Sequence, residues 1–287
     1  MIGKTKKKIL ILGSEGQIGA SLETHLKKKY IVTGIDILNH KSEDLRSKNS
    51  KIGLLIKNTD FVFFLAFDVG GSRYMDKYQN SYQFIMNNIQ IMENVFGLLK
   101  KNNKKFIFAT SQMSNMLFSS YGILKKIGEN LTSSLNGLCV RFWNVYGYET
   151  DLEKSHVITD FILKILKHKK INMLTDGEEE RDFLFIDDCC IGLETIMIKY
   201  NKIKKDRIVD MSFGKFYKII KIAKIIEEFL LKKNIKIIII KNIKKDNIQR
   251  NTKNIPNKTI TKYWEPTINL KDGIEKLLNF YMSKKSR

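Results

Sequence analysis

Three residues in the stretch ATSQMSNMLFSSYGILKK have the types and spacing for acid–base chemistry. Tyr121 stands four residues before Lys125, on one face of any helix that contains both, and Ser111 precedes Tyr121 by ten positions at the end of a strand-like run. A phenol with a pKa of about 10 is a poor base at neutral pH unless nearby positive charge favours the phenolate. Lys125 supplies such a charge, and a serine hydroxyl can position the oxygen that gives up its proton. Alone, a Tyr-xxx-Lys pair is common and is most simply a polar helix face. The sequence before it argues for more.

In ILILGSEGQIGASL, Gly13, Gly16 and Gly19 directly follow an apolar strand-like run and open a helix-like one. Small residues there permit a tight turn and let a pyrophosphate approach backbone N–H groups where the helix dipole favours an anion. Asp36 follows at the end of YIVTGID, where a carboxylate can accept hydrogen bonds from an adenosine ribose. His25, His40, His156 and His168 show no metal spacing and are expected in ordinary surface or core positions. Cys139, Cys189 and Cys190 include an adjacent pair unsuited to an ordinary disulfide and are read as reduced thiols.

The elements that must position these residues are legible as a rhythm. Strand-like runs KKILILG, YIVTGIDI, DFVFFLAF, KKFIFATS and LCVRFWNVYG alternate with helix-period segments at 17–28, 80–101 and 121–134. Alternation of this kind predicts a parallel sheet with helices on both faces. After about residue 148 the rhythm changes: helices are expected near 156–168 and 216–233, strands at RIVDMS and IKIIII, and a terminal helix in LKDGIEKLLNFYM. The expectation is an α/β, Rossmann-type doubly wound parallel sheet over 1–147, with return segments near 182–215, and a smaller C-terminal substrate-binding lobe over 148–287.

The GxxGxxG turn, the later Tyr-xxx-Lys, DFVFFLAF, RFWNVYG, RDFLFIDD and YWEPTINLKDGI occur in an order that resembles the extended short-chain dehydrogenase/reductases, particularly the nucleotide-sugar epimerases and dehydratases. The resemblance spans nearly the whole chain. It implies NAD as cofactor, held by Gly13, Gly16, Gln17, Ile18, Gly19, Asp36, Asp44, Leu45, Leu65, Ala66, Tyr121 and Lys125. It also implies roles: Tyr121 as acid–base residue, Lys125 lowering its pKa and binding the nicotinamide ribose, Ser111 hydrogen-bonding the reacting hydroxyl. Contact with the nucleotide-sugar diphosphate is implied for Asn144, Arg181 and Arg250.

Departures from the family's pattern narrow the chemistry. After Ser111 the chain has Gln112 and Met113, where the resembling sugar dehydratases carry an Asp–Glu pair; an amide and a thioether cannot deliver protons near neutral pH. The interval from Ser111 to Tyr121 is also short, which leaves Ser114, Ser119 and Ser120 as alternatives for the role of Ser111. FDVGGSRYM resembles a loop of GDP-mannose 3,5-epimerase, which implies a GDP-sugar near Gly70, Gly71 and Ser72; that epimerase has a cysteine where this chain has Met113. The resulting expectation is a GDP-sugar 4-dehydrogenase of surface-polysaccharide precursor biosynthesis, with 4-epimerase or 4-keto reductase as alternatives.

Composition sets the outer bounds. The 287 residues, 43% of them hydrophobic, suffice for one large core plus a smaller lobe. No uninterrupted apolar run reaches the ~18 residues of a membrane span, and MIGKTKKKILILG passes straight from basic residues into a strand, so a cytoplasmic protein without membrane insertion is expected. No metal is expected either, and the family resemblance implies a homo-oligomer, dimer or tetramer. The net charge of +21 admits an RNA-binding, catalytically silent Rossmann-fold protein as a rival. Nucleic acid is nonetheless disfavoured, because the lysines are scattered among Asn and Ile residues without an arginine–aromatic motif.

Overall fold

The computed structural model of the protein describes residues 6–48, 50–149, 153–245 and 254–285. The first half runs β1 (Lys8–Leu12), α1 (Gln17–Leu26), β2 (Ile31–Ile35), α2 (Ser50–Lys57), β3 (Phe61–Phe64), α3 (Ser72–Tyr78), α4 (Tyr82–Lys101), β4 (Phe106–Ser111), α5 (Ser120–Ser134) and β5 (Leu138–Phe142). The rest comprises β6 (Asn144–Tyr146), α6 (Val157–His168), β7 (Lys170–Asn172), β8 (Glu180–Phe185), α7 (Ile186–Ile198), α8 (Tyr200–Ile203), β9 (Ile208–Met211), β10 (Phe216–Lys218), α9 (Ile219–Leu231), β11 (Ile238–Ile240) and α10 (Leu270–Lys285).

Six parallel strands pair in the order β2-β1-β3-β4-β5-β9. Strand β1 explains why both faces must be covered: its side chains alternate, so Ile9 and Ile11 pack with Leu22 and Leu26 of α1, while Leu10 and Leu12 join Phe64, Phe108 and the α4 residues Met92, Val95 and Phe96. The second half of the chain returns to this sheet through β9, which pairs with β5 from Cys139↔Ile208 to Phe142↔Met211. Its other strands form two small sheets, β10-β8-β6 and β11-β7, braced by α6, α9 and α10.

Two local differences from the sequence reading have plain causes. The helix expected over 216–233 begins at Ile219, because Phe216–Lys218 pairs antiparallel with Asp182, Arg181 and Glu180. Helix α7 was not foreseen, since most of its circumference is buried and it shows no polar stripe against which an apolar one stands out.

Candidate active site

The chain leaves β1 toward β2 on one side and returns as β3 on the other, so a crevice opens beyond the carboxyl ends of β1 and β3, where open α/β sheets take their ligands. A cleft of about 630 Å³ starts there, and every residue expected at the cofactor lies on its wall. Gly13 has φ +92°, and a Cβ on it would stand 2.7 Å from the Ala66 amide nitrogen, so only glycine lets the first turn pass this close to the end of β3. The cap of α1 is Gly16, which offers no side-chain bond to the first-turn N–H groups. Gln17 follows, and its buried Nε2 has no hydrogen-bond partner among the described residues. Uncapped amides, an orphaned amide donor and a helix dipole together fit a pyrophosphate.

Asp36 is fixed at the far side of this turn. Its carboxylate accepts from the amides of Glu15 (3.1 Å) and Leu38 (3.1 Å), and its own amide donates to Glu43 Oε2 (3.1 Å). Asp44 is gripped by Arg46, whose hydrogen bond holds the carboxyl below the usual range, and Arg46 also donates to Asn87 Oδ1 at 3.0 Å. Three carboxylates therefore border the end of the cleft that suits an adenosine ribose, with the neighbouring arginine already engaged. NAD fits this end of the cleft.

Midway along, β4 ends at Ser111, a single turn covers Gln112–Asn115, and α5 starts behind it with Ser119 as cap, its hydroxyl accepting from the Gly122 amide. Ser111, Tyr121 and Lys125 all line the cleft. Tyr121 and Lys125 are nearly buried, at 8% and 3% exposure. Burial pushes the Tyr121 phenol up to about 12, with a Ser111 hydrogen bond pulling the other way. Burial likewise pulls the Lys125 ammonium down to about 7 against the opposing charge of Glu129. Its Nζ donates to the Ala109 carbonyl at 2.7 Å and lies 3.6 Å from the centre of the Phe67 ring, which also forms a T-shaped pair with the Tyr121 ring at 5.8 Å between centroids. The lysine charge that phenolate formation needs is itself poised near neutrality.

The alternative serines are engaged elsewhere. Ser114 donates to Glu129 (2.6 Å), Ser119 to Gln79 (2.8 Å) and Ser120 to Asn80 (2.7 Å). Of the two residues after Ser111, Met113 faces the cleft. Gln112 is turned from it, accepting through its backbone and side-chain oxygens from Asn254 Nδ2 at 3.0 and 2.7 Å. Behind this corner Glu129, 2% exposed, accepts from Thr110, Ser114 and both nitrogens of the Arg141 fork.

The far end is built by the loop after β3 and the segment before α6. Gly70, Gly71 and Ser72 line it. The Gly71 amide donates to the Lys154 carbonyl at 2.9 Å, and a Cβ on Gly71 would lie 2.2 Å from the Ser155 carbonyl oxygen. Asp68 accepts from Tyr74 (2.5 Å) and Asn87 (3.0 Å) and stands 3.6 Å from Lys154 Nζ, while Arg73 pairs with Asp160. Asn144 lines the cleft and donates to the Asp182 carbonyl at 3.3 Å. Arg181, two residues nearer the start of β8 than the cleft-lining Phe183, is absent from the wall and donates to its neighbour's carbonyl at Glu180. Arg250 lies outside the described residues.

Among the cleft residues to which sequence reasoning gave no site role are Phe67, Trp143, Glu149 and His156. His156 was expected in an ordinary position, yet its Nδ1 sits 2.6 Å from Glu149 Oε1 on the cleft wall. Burial lowers the imidazole pKa, but the Glu149 hydrogen bond and charge outweigh this and hold it above its ordinary value. No spacing rule flags a pair seven residues apart across a loop. The three cysteines are free and buried. Among the described residues, no group of three or more His, Cys, Asp or Glu could hold a metal, and no helix is long and apolar enough to cross a membrane.

Residues 9–212 match the family model "NAD dependent epimerase/dehydratase family". The chain is 25% identical over 266 residues to an uncharacterised UDP-glucose epimerase, YtcB, of Bacillus subtilis, covering 77% of this chain and 81% of that protein. Among solved structures it is similar to a GDP-6-OMe-4-keto-L-xylo-heptose reductase of Campylobacter jejuni, with a TM-score of 0.82 and 20% identity over 98% of this chain and 99% of that one. A UDP-N-acetylglucosamine 4-epimerase of Methanobrevibacter ruminantium gives a TM-score of 0.76 and 21% identity over 98% and 99%.

Proposed function

Because the chain belongs to the NAD-dependent epimerase/dehydratase family of extended short-chain dehydrogenases/reductases, we propose that it oxidises, or reversibly reduces, carbon 4 of a nucleotide-linked sugar, namely a GDP-hexose or larger GDP-sugar. One observation carries this reading: Ser111, Tyr121 and Lys125 share a cleft with the glycine turn and Asp36, while the residue after Ser111 that lines the cleft is Met113, a thioether with no proton to give or take. The equipment for hydride transfer is together, and the acid pair for eliminating water is missing from that corner.

NAD bound between the glycine turn and Lys125 would supply the hydride acceptor for carbon 4. Gly13, Gly16 and Gln17 hold its pyrophosphate and Asp36 its adenosine ribose. Ser111 positions the sugar hydroxyl, and Tyr121, as phenolate, takes its proton. Charged Lys125 and an oxidised nicotinamide offset the burial that otherwise keeps the phenol protonated. Gly70, Gly71 and Ser72 border the sugar and Asn144 the diphosphate, for which Arg181 and Arg250 are the further proposed contacts. The similarity to the GDP-heptose reductase favours a GDP-sugar and a place in surface-polysaccharide precursor biosynthesis in the cytoplasm. A homodimer is supported by Ile123, Ile127 and Leu131, exposed at four-residue spacing on α5, and by the exposed Tyr82 and Ile89 of α4, the helix packed against it.

A second reading, epimerisation, rests on His156. The same hydride machinery would make the ketone, and an imidazolium kept charged by Glu149 on the cleft wall is a group able to return a proton to a neighbouring carbon. Mass spectrometry of ligand retained by the purified protein, followed by product analysis with GDP-, UDP- and dTDP-sugars, tests both. Retained NAD and a 4-keto or 4-inverted GDP-sugar is the expected result. Salt-sensitive RNA binding without nucleotide-sugar turnover would favour the non-catalytic rival.

A further inference from the structure

Lys125 is the least self-evident charge in the cleft. It is 3% exposed, and among the described residues its Nζ donates to the Ala109 carbonyl. Burial of this kind expels the proton from a lysine unless something close favours the cation. The groups facing it are few. On α5 these are Tyr121, a protonated phenol at neutral pH, and Glu129 one turn on. On β5 there is Cys139, whose thiol burial pushes up to about 12 and so leaves neutral. Glu129 has the right sign, but Arg141 and Lys126 both pair with it and Thr110 and Ser114 donate to it, so much of its field is already neutralised. The remaining contacts are aromatic faces: Phe108 at 5.0 Å and Phe67 at 3.6 Å from Nζ to ring centre. At that separation a desolvated ammonium over a ring face is a strong cation–π pair.

We propose that Phe67 is a positioning residue for the reaction, acting through Lys125: its ring face keeps the ammonium charged and seated against the Ala109 carbonyl, while a T-shaped contact between the two rings holds Tyr121 beside it. The proposal rests on the reading that Lys125 serves hydride transfer and adds to it the group that sustains the charge. Phe67 is half-buried on the cleft wall and leads directly into the Asp68–Gly71 loop clamped to Lys154 and Ser155. The sugar-side loop and the lysine charge are thus joined by one side chain.

The test reads Lys125 directly. Full-length protein with lysine labelled at the ε-carbon is titrated by NMR, with the Lys125 signal assigned from Lys125→Arg. Three proteins are compared: the native chain, Phe67→Leu, which keeps an apolar side chain and removes the ring, and Phe67→Tyr, which keeps the ring. The expected result is a fall in the Lys125 midpoint of about half to one pH unit in Phe67→Leu, with Phe67→Tyr near native. A midpoint unchanged in Phe67→Leu, or lowered equally in Phe67→Tyr, overturns the proposal. Because Phe67 lies on a partly exposed loop, both variants should fold, and the native pattern of the other lysine signals verifies this. Single-turnover oxidation of GDP-mannose, used as probe across the same pH range, is the separate arm. A shifted Lys125 midpoint with unshifted hydride transfer would overturn the role given to Lys125 in the reaction, and with it the positioning role, while leaving the electrostatic contact standing.

Discussion

The titration behaviour of Tyr121 and Lys125 turns a residue-level geometry into measurable expectations. On the proposed function, Tyr121→Phe removes the hydroxyl assigned to the sugar proton and leaves the Gly13–Asp36 end untouched, so NAD should stay bound while single-turnover oxidation falls by about 10²–10⁴-fold; undiminished transfer would remove Tyr121 from the mechanism. Lys125 also costs stability. It keeps its proton up to about pH 7 in the folded protein and up to its ordinary 10.5 when unfolded, so between those values the unfolded chain binds more protons. Stability from this group therefore rises with pH across that window, and its full cost is present below it. Lys125→Met should raise the Tm more at about pH 6 than at about pH 9.5. An equal gain at both would show that the lysine is not penalised by burial as described. At the cofactor end, Asp36, Glu43 and Asp44 would all repel a 2′-phosphate, while Arg46 is committed to Asp44. Titrations should therefore find NAD bound more tightly than NADP, and the opposite order would contradict the placement of the ribose at Asp36.

Elements bring these residues together, and how well they could be read from sequence follows from how they pack. Strands β1, β3 and β4 and helices α1, α4 and α5 declare themselves because each shows an apolar run or stripe of the right period. The same holds for Tyr121 and Lys125, whose relation is a helix spacing. Phe67, Glu129 and His156 could not be found that way. Glu129 meets Thr110 and Arg141 because β4 and β5 set those two residues in register, and His156 reaches the cleft because α6 starts against the β3–α3 loop. Both relations are products of tertiary pairing. That loop contact is itself testable. Gly71→Ala would place a Cβ 2.2 Å from the Ser155 carbonyl oxygen and must push the loop from its partner. The KM for the nucleotide sugar should rise by about tenfold or more with NAD affinity unchanged, since a displacement near the sugar costs binding there. Equal losses in both affinities would point to general unfolding instead.

At the scale of the whole molecule, the cleft runs from the Asp36 carboxylate at one end to a loop clamped on the second half of the chain at the other, with Ser111, Tyr121 and Lys125 between. The expected product of a GDP-sugar accordingly keeps every hydroxyl-bearing carbon and differs from substrate only at carbon 4, as a ketone or an inverted alcohol. Two placements argue for this. Met113, the cleft-lining residue of that corner, carries a thioether and no acid, and Gln112, absent from the cleft wall, is bonded to Asn254. One placement argues against it: the Glu149–His156 pair faces the same cleft, and a protonated imidazole can deliver a proton to the enolate carbon left once a base has taken the hydrogen beside a ketone. These alternatives leave different isotopic records. When the reaction is run in D2O and the product is resolved by NMR, a sugar without deuterium at carbon 3 or carbon 5 assigns His156 to binding and leaves hydride transfer as the whole chemistry. Deuterium at either carbon would give His156 a catalytic role, and the label should then disappear in His156→Gln while the 4-ketone still forms. A 6-deoxy-4-keto product would overturn the reading of Gln112 and Met113 altogether, because loss of water requires an acid that this corner does not contain.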